Sequence, residues 1–207
     1  MKLKFVLRGS SGVLALLLAS LMSARGGGVV SSTPFIALSA VSVPEIPAKA
    51  SELVQAASVT NREQTARDVL NAVSAIARPG VMPYVVSAIC HGSPEVAGDV
   101  VATAIGLQPH YALIFSKAAV CAAPGQVEQI VFSTCKAAPG LYADVSLVAF
   151  GQLPSSRDSI LAGLLGAYPG LKPLLEEAQA QVGTNDFRAV IKRTGQLLAD
   201  AYKAQQQ

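Results

Sequence analysis

Cysteine and histidine are the side chains of this sequence that are best suited to metal binding or nucleophilic catalysis. The chain of 207 residues has three cysteines and two histidines, and they are Cys90, Cys121, Cys135, His91 and His110. A tetrahedral zinc site needs four ligands from such side chains. Cys90, His91 and Cys121 would supply three of them, and the sequence indicates no fourth. A metal-binding or enzymatic protein that uses these three residues is therefore kept as a second alternative.

The sequence offers no arrangement typical of a hydrolase, which needs a nucleophile, a histidine base and an orienting acid. No serine stands in a G-x-S-x-G motif, and both histidines fall at predicted helix ends. The paired acids Glu176 and Glu177 are adjacent, so they point in different directions on a helix. We therefore predict no catalytic residue, no cofactor and no bound metal, and we expect the protein not to be an enzyme.

Prolines at intervals of fifteen residues define the elements that must position these side chains. A fixed period of this kind is typical of an internal repeat. Gln64 takes the place of the proline one period before the run begins, so the predicted repeat units span 64–183. The run itself has no insertion or deletion and comprises Pro79, Pro94, Pro109, Pro124, Pro139, Pro154 and Pro169.

The apolar columns of the repeat follow the period of an α-helix. The seventh position of every unit is a large apolar residue, and the twelfth is apolar from Cys90 to Leu165. The fourth, eighth and eleventh positions are mostly apolar or small, and such offsets describe one face of a helix, whereas a β-solenoid would show alternation. We therefore predict a helix of about eleven residues in each unit. Cys90 and Cys135 belong to the twelfth column, so we interpret them as buried hydrophobic residues.

Both ends of each predicted helix carry residues that are typical of helix termini. Proline is tolerated in the first turn, where its missing N–H would have no partner within the helix. At the other end, we expect glycines in the left-handed backbone conformation to terminate the helices. These glycines are Gly92, Gly106, Gly151 and Gly166.

Helices of this length are unstable alone, so they must pack against one another. Connections of three or four residues force successive helices to run antiparallel. We predict an all-α fold in which short antiparallel helices stack as an α-solenoid over residues 49–207, with a C-terminal capping helix at 185–203. Alternate units then share an edge, which places Cys90, His91 and Cys121 together and Cys135 opposite. A Cys90–Cys121 disulfide is an alternative to free thiols.

The first 24 residues have the composition of a signal peptide. Three basic residues precede the apolar stretch Gly12–Met22, and the small residues Ser23 and Ala24 follow it. We predict export to the periplasm or the extracellular space, with an uncleaved membrane anchor as the alternative. Residues 25–48 contain clusters of glycine and serine, and we predict that they form a disordered linker.

The charge balance argues against nucleic acid as a partner. The whole chain has 16 basic and 13 acidic residues. Three of the basic residues lie within the first eight positions, so 13 of each sign remain from Arg25 onward. No excess of positive charge is left to neutralise phosphates.

The repeat units have an unusually apolar surface. Only eight charged residues lie between Pro79 and Tyr168, and several apolar side chains fall outside the core columns. Exposed apolar surface marks a protein or membrane partner unless another helix covers it. We predict a protein partner or self-association through these side chains, with ordinary core packing as the alternative. They are Tyr111, Leu113, Ile114, Phe132, Tyr142 and Leu147.

Units such as Ala123–Val131 resemble the Ala/Pro-punctuated fifteen-residue helical repeats of uncharacterised exported bacterial proteins. This resemblance implies an all-α repeat fold and export, and it implies no activity. Taken together, the sequence favours a non-catalytic, exported helical-repeat scaffold that binds another protein or itself. A membrane- or envelope-associated structural protein is the first alternative.

Cleavage of the signal peptide is testable by mass spectrometry of the protein isolated from its native source. We expect a soluble product whose mature N-terminus is Arg25 or, for later cleavage, Val41. An intact N-terminus in the membrane fraction would contradict cleavage and favour the anchor.

Overall fold

The computed structural model describes residues 32–76 and 79–204. Within these ranges the chain forms eleven α-helices and no β-strand, as the sequence predicted. The predicted signal peptide, 1–24, lies outside the described residues. The helices are α1 (Ser32–Ser39), α2 (Ile46–Ala56), α3 (Arg62–Ile76), α4 (Met82–Gly92), α5 (Ala97–Leu107), α6 (Ala112–Ala122), α7 (Val127–Ala137), α8 (Tyr142–Gln152), α9 (Arg157–Ala167), α10 (Lys172–Val182) and α11 (Phe187–Ala204).

Each proline of the repeat opens a 3₁₀ turn of three residues, and an α-helix of eleven residues follows it from α4 to α10. The predicted helix length is confirmed, but the α-helix begins at the fourth position of the unit and not at the proline. The unit that begins at Gln64 has no such turn at its first position; its 3₁₀ turn lies earlier, at Val59–Asn61, and α3 then runs for fifteen residues. From Pro79 onward the 3₁₀ turn and the helix start keep a fixed position relative to the proline.

From Pro94 to Pro169, the residue before each proline joins two units through its backbone N–H and its carbonyl. Its N–H donates to the carbonyl four residues back, closing the preceding helix, as Ala123 does to Ala119 at 2.8 Å. Its carbonyl accepts from the third residue of the next unit, as Ala123 does from Gln126 at 2.9 Å. The same pair of bonds recurs at Ser93, Gln108, Ala138, Leu153 and Tyr168.

The prediction that glycines end the helices was wrong. Among the described residues only Gly183 has a positive φ, of 82°, while Gly92, Gly106, Gly151 and Gly166 lie within helices. The helices end because the ring of proline disfavours the α conformation in the residue before it. Those residues have φ between −146° and −132° and ψ between 65° and 78°.

The helices α1 to α9 form two layers, because each packs most extensively against a helix two places away along the chain. Layer A comprises α2, α4, α6 and α8, and layer B comprises α1, α3, α5, α7 and α9. Within layer A, the C-terminal ends of neighbouring helices lie side by side. Cys121 near the end of α6 donates a hydrogen bond to Gln152 at the end of α8, with 3.2 Å between Sγ and Oε1. Helices within a layer are therefore parallel, and successive helices are antiparallel. The helix α11 packs on α10 and α8 and closes the C-terminal end.

The core lies between the layers and is built from the predicted columns. Every seventh-position residue is buried, from Leu70 to Leu175. In the twelfth column Cys90 and Cys135 are fully buried, which confirms their interpretation as hydrophobic core residues. Phe150 is half-buried and stacks on Phe187 of α11, with ring centroids 4.4 Å apart.

Glycine allows close helix approach at specific points in both layers. In layer A, Gly92 of α4 faces Gln55 and Ser51 of α2. In layer B, a Cβ added to Gly163 of α9 would overlap the backbone carbonyl oxygen of Glu128 in α7.

The structure corrects the prediction of a disordered linker at 25–48 for the residues that it describes, 32–48. Ser32–Ser39 forms α1, in which Leu38 is fully buried against the core, and the turn Val43–Glu45 leads directly into α2. The helical array thus includes residues before the predicted boundary at 49, because this apolar segment covers the start of layer B.

The C-terminal capping helix is confirmed. The carboxylate of Asp186 accepts the backbone N–H of Ala189 at 3.0 Å. This bond satisfies one of the free N–H groups in the first turn of α11.

Substitution of Gly163 by alanine tests the close packing of α7 and α9. We expect Gly163→Ala to lower the free energy of unfolding by about 1–3 kcal/mol, because the backbones must move apart. Gly106→Ala is the matched control, since it is also a helical glycine and an added Cβ there meets no atom within 4 Å. The control should raise stability by up to about 1 kcal/mol. Equal effects of the two substitutions in urea unfolding would contradict the close approach.

Candidate functional site

The cysteines and histidines do not converge on one site. Cys90 lies in the core, whereas Cys121 and His91 are exposed on the outer surface of layer A. The predicted alternative of a Cys90–Cys121 disulfide is not formed, and within the described ranges all three cysteines are free. The same ranges contain no group of three His, Cys, Asp or Glu side chains that could hold a metal ion.

The two buried cysteines are held as neutral thiols. Burial raises the pKa of Cys90 to about 12 and that of Cys135 to about 12, because a thiolate would lose its hydration in the core. A thiol reacts as a nucleophile through its thiolate form. Neither buried residue is therefore suited to nucleophilic chemistry, and only Cys121 is accessible.

Most of the predicted interaction residues contribute to packing. Five of the six are half-buried and lie against the core: Tyr111, Leu113, Phe132, Tyr142 and Leu147. Ile114, in contrast, is 49% exposed on α6. Phe132 lies in layer B and the other five lie in or beside layer A, and Ile114 is the member of the set that is largely exposed.

The half-buried aromatic residues have identifiable neighbours. Tyr111 packs on Phe115, with ring centroids 6.0 Å apart. Tyr142 meets Tyr168 edge to face at 6.1 Å and lines a groove of about 530 Å³ beside α11. Phe132 of layer B lies beside Gly166, with the ammonium group of Lys136 at 5.9 Å from its ring centroid. These contacts stabilise the array, and Phe132 lies in the layer opposite to that of Ile114.

Two adjoining grooves cross the outer surface of layer A, and we call their lining the groove face. The first groove, of about 600 Å³, lies between α2 and α4. The second, of about 480 Å³, lies between α4 and α6. Tyr84 and Ser87 of α4 line both. The remaining lining residues are Val43, Pro44, Pro47, Val81, Ala88 and His91 in the first groove, and Pro83, Ile114, Lys117, Ala118 and Cys121 in the second.

The groove face combines exposed apolar side chains with little charge. Tyr84 is 68% exposed, and Ile114 is 49% exposed. Lys117 is the one lining residue with a permanent charge, and the ion pairs of the described residues do not include it. The Tyr84 and Ser87 hydroxyls also have no hydrogen-bond partner in the described part of the chain. This surface can therefore offer apolar contacts, two hydroxyls and one cation to a partner.

Tyr84 is the residue that the sequence analysis missed. It occupies the sixth position of its unit, as Ile114 does two units later, and both side chains are exposed. The sixth position holds Val69, Tyr84, Asp99, Ile114, Gln129, Asp144, Ser159 and Leu174. Val69 is buried and Leu174 is half-buried, so the exposed large apolar residues of this column are Tyr84 and Ile114, in two neighbouring helices of layer A.

Comparison with known proteins gives no relative for this chain: no family model, no curated protein and no solved structure matches it. Its function is therefore argued from the groove face.

Thiol labelling tests the placement of the cysteines. We expect a maleimide to add one label per native chain, at Cys121, and three labels after unfolding in guanidinium chloride, counted by mass spectrometry. Cys121→Ser should remove the rapid label and keep the two slow ones. Rapid modification of Cys90 or Cys135 in the folded protein would contradict their burial.

Proposed function

We propose that the protein is a non-catalytic, exported helical-repeat scaffold that binds another protein through the groove face. The observation that carries this proposal is the pair of exposed apolar residues, Tyr84 and Ile114, beside two grooves on one face. Export rests on the basic and apolar residues of 1–24.

The composition of the groove face suits a protein partner. Tyrosine is enriched among the residues that contribute most to binding at interfaces, because it offers a large rigid ring with a polar tip. The single cation, Lys117, leaves the rest of the face free of the charges that are costly to desolvate. Stacked helices also present an extended surface, which is how repeat proteins engage other chains.

Attachment to a membrane or envelope, the first alternative, would depend on residues outside the described ranges. None of the described helices is long and apolar enough to cross a membrane. The second alternative, metal binding or catalysis with Cys90, His91 and Cys121, has little geometric support because Cys90 is buried. We therefore favour the scaffold.

Aspartate substitutions on the groove face test the proposal. We expect Tyr84→Asp and Ile114→Asp to weaken binding to the native partner, captured by the tagged protein from its native source, by about tenfold or more each. Burial of either side chain in an interface is worth about 1.5–3 kcal/mol. Because both side chains are exposed, the midpoint of thermal unfolding should stay near that of the unsubstituted protein.

Val59→Asp is the matched control, because Val59 is also apolar and is 76% exposed, in the turn between α2 and α3. It should leave partner capture unchanged. Capture that is lost equally with Val59→Asp, or retained with Tyr84→Asp and Ile114→Asp together, would refute binding through this face. Light scattering distinguishes a separate partner from self-association.

A further inference from the structure

We propose that the groove face binds one extended, acidic segment of the partner protein in the polyproline II conformation, running across α2, α4 and α6. An apolar side chain of the segment occupies each groove, three residues apart, and a neighbouring carboxylate pairs with Lys117. This inference rests on the proposed function and names the chemistry of the partner.

The spacing of the grooves sets the spacing of the apolar side chains. The grooves lie on either side of α4, so their centres are separated by one interval between neighbouring helices of layer A. Packed helices lie about 8–10 Å apart. A polyproline II helix rises about 3.1 Å per residue with three residues per turn, so residues i and i+3 lie on the same side about 9 Å apart. The two distances match.

Other backbone conformations fit less well. Side chains on one side of a β-strand lie about 7 Å or 13 Å apart, because they alternate between its faces. An α-helix repeats a side-chain direction about every seven residues, at about 10.5 Å, so distance alone does not separate it from polyproline II. The decision between these two depends on hydrogen bonding.

Two free hydroxyls favour the polyproline II segment over a helix. Tyr84 and Ser87 lie on α4, between the two grooves, and line both of them. The backbone carbonyls of polyproline II have no partner within the segment and can accept hydrogen bonds from these hydroxyls. The carbonyls in the middle of an α-helix already accept bonds from their own helix. The exposed ring of Tyr84 also provides the aromatic surface on which such segments pack.

The positive charge of Lys117 is the reason to expect an acidic residue in the bound segment. Lys117 lines the second groove and forms no ion pair within the described ranges. A carboxylate next to the apolar residue in that groove would pair with its ammonium group. An ion pair at such a surface is worth up to about 1 kcal/mol, so it selects between segments without dominating affinity.

Synthetic peptides added to the purified protein test this inference by fluorescence anisotropy. The probe is a fluorescein-labelled Pro-Leu-Pro-Pro-Leu-Asp-Pro, which places its leucines three residues apart. Its isomer Pro-Pro-Leu-Pro-Leu-Asp-Pro has the same composition with the leucines two residues apart. We expect the first peptide to bind about tenfold more tightly, because only its leucines reach both grooves. Tyr84→Ala should abolish this difference.

An asparagine analogue of the probe tests the role of Lys117. We expect the aspartate peptide to bind about two- to fivefold more tightly than the asparagine peptide at low salt. Lys117→Gln should remove this preference while the effect of leucine spacing persists. Lys136→Gln is the matched control on layer B and should change neither. The preference should also fall as salt is added, because the pair is exposed.

Several outcomes would overturn the inference. Equal affinity for the two spacing isomers, or no saturable binding of either at millimolar concentration, rules out the polyproline II mode. Tighter binding of an alanine-rich helical peptide with leucines seven residues apart would assign the face to a helix. A dimer that dissociates with Tyr84→Asp would assign it to a second copy of this chain. If partner capture depends on Tyr84 and Ile114 but the peptides do not bind, this inference fails while the proposed function stands.

Discussion

The residue before each proline carries the constraint on which the rest of the structure depends. It cannot continue the helix, because the proline ring crowds its backbone. At the six such residues from Ser93 to Tyr168, the N–H nevertheless closes the preceding helix and the carbonyl begins the next turn, so both groups are paired. Proline has no N–H that would need a partner at this point. The chain therefore reverses over four residues with both backbone groups of the pre-proline residue paired, and successive units repeat this reversal.

The helical array could be predicted because its core columns repeat in strict register with the prolines. The features that were predicted wrongly, the segment 32–48 and the glycines near helix ends, do not follow this fifteen-residue register. The segment 32–48 has no fifteen-residue partner in the sequence, and only contact with layer B shows that α1 belongs to the array. The glycines near helix ends looked like caps, yet the adjacent proline already ends each helix, and several of these glycines serve no φ requirement.

The candidate site was harder to predict than the core for a physical reason. A helix in this array buries one side against the opposite layer and two flanks against its neighbours within the layer. The periodicity of a single unit shows which side faces the opposite layer, but it does not show which side chains pack against neighbours in the same layer. Leu113 and Leu147 were therefore predicted to be free for a partner, although they are half-buried. Tyr84 and Ile114 share the sixth position in two neighbouring helices of layer A, and their exposure distinguishes them from Val69, which is buried in the same column.

The alternation of the two layers also limits how proteins built in this way can change length. Loss or duplication of a single fifteen-residue unit would transfer every later helix to the opposite layer. The glycines that allow close packing of neighbouring helices, such as Gly163 against α7, would then lie in the wrong layer. Side chains that now lie on the outer surface of one layer would lie on the outer surface of the other. A change of thirty residues keeps both layers in register. Evolution of such arrays should therefore proceed by pairs of units, and an engineered extension of this chain has the same minimum step.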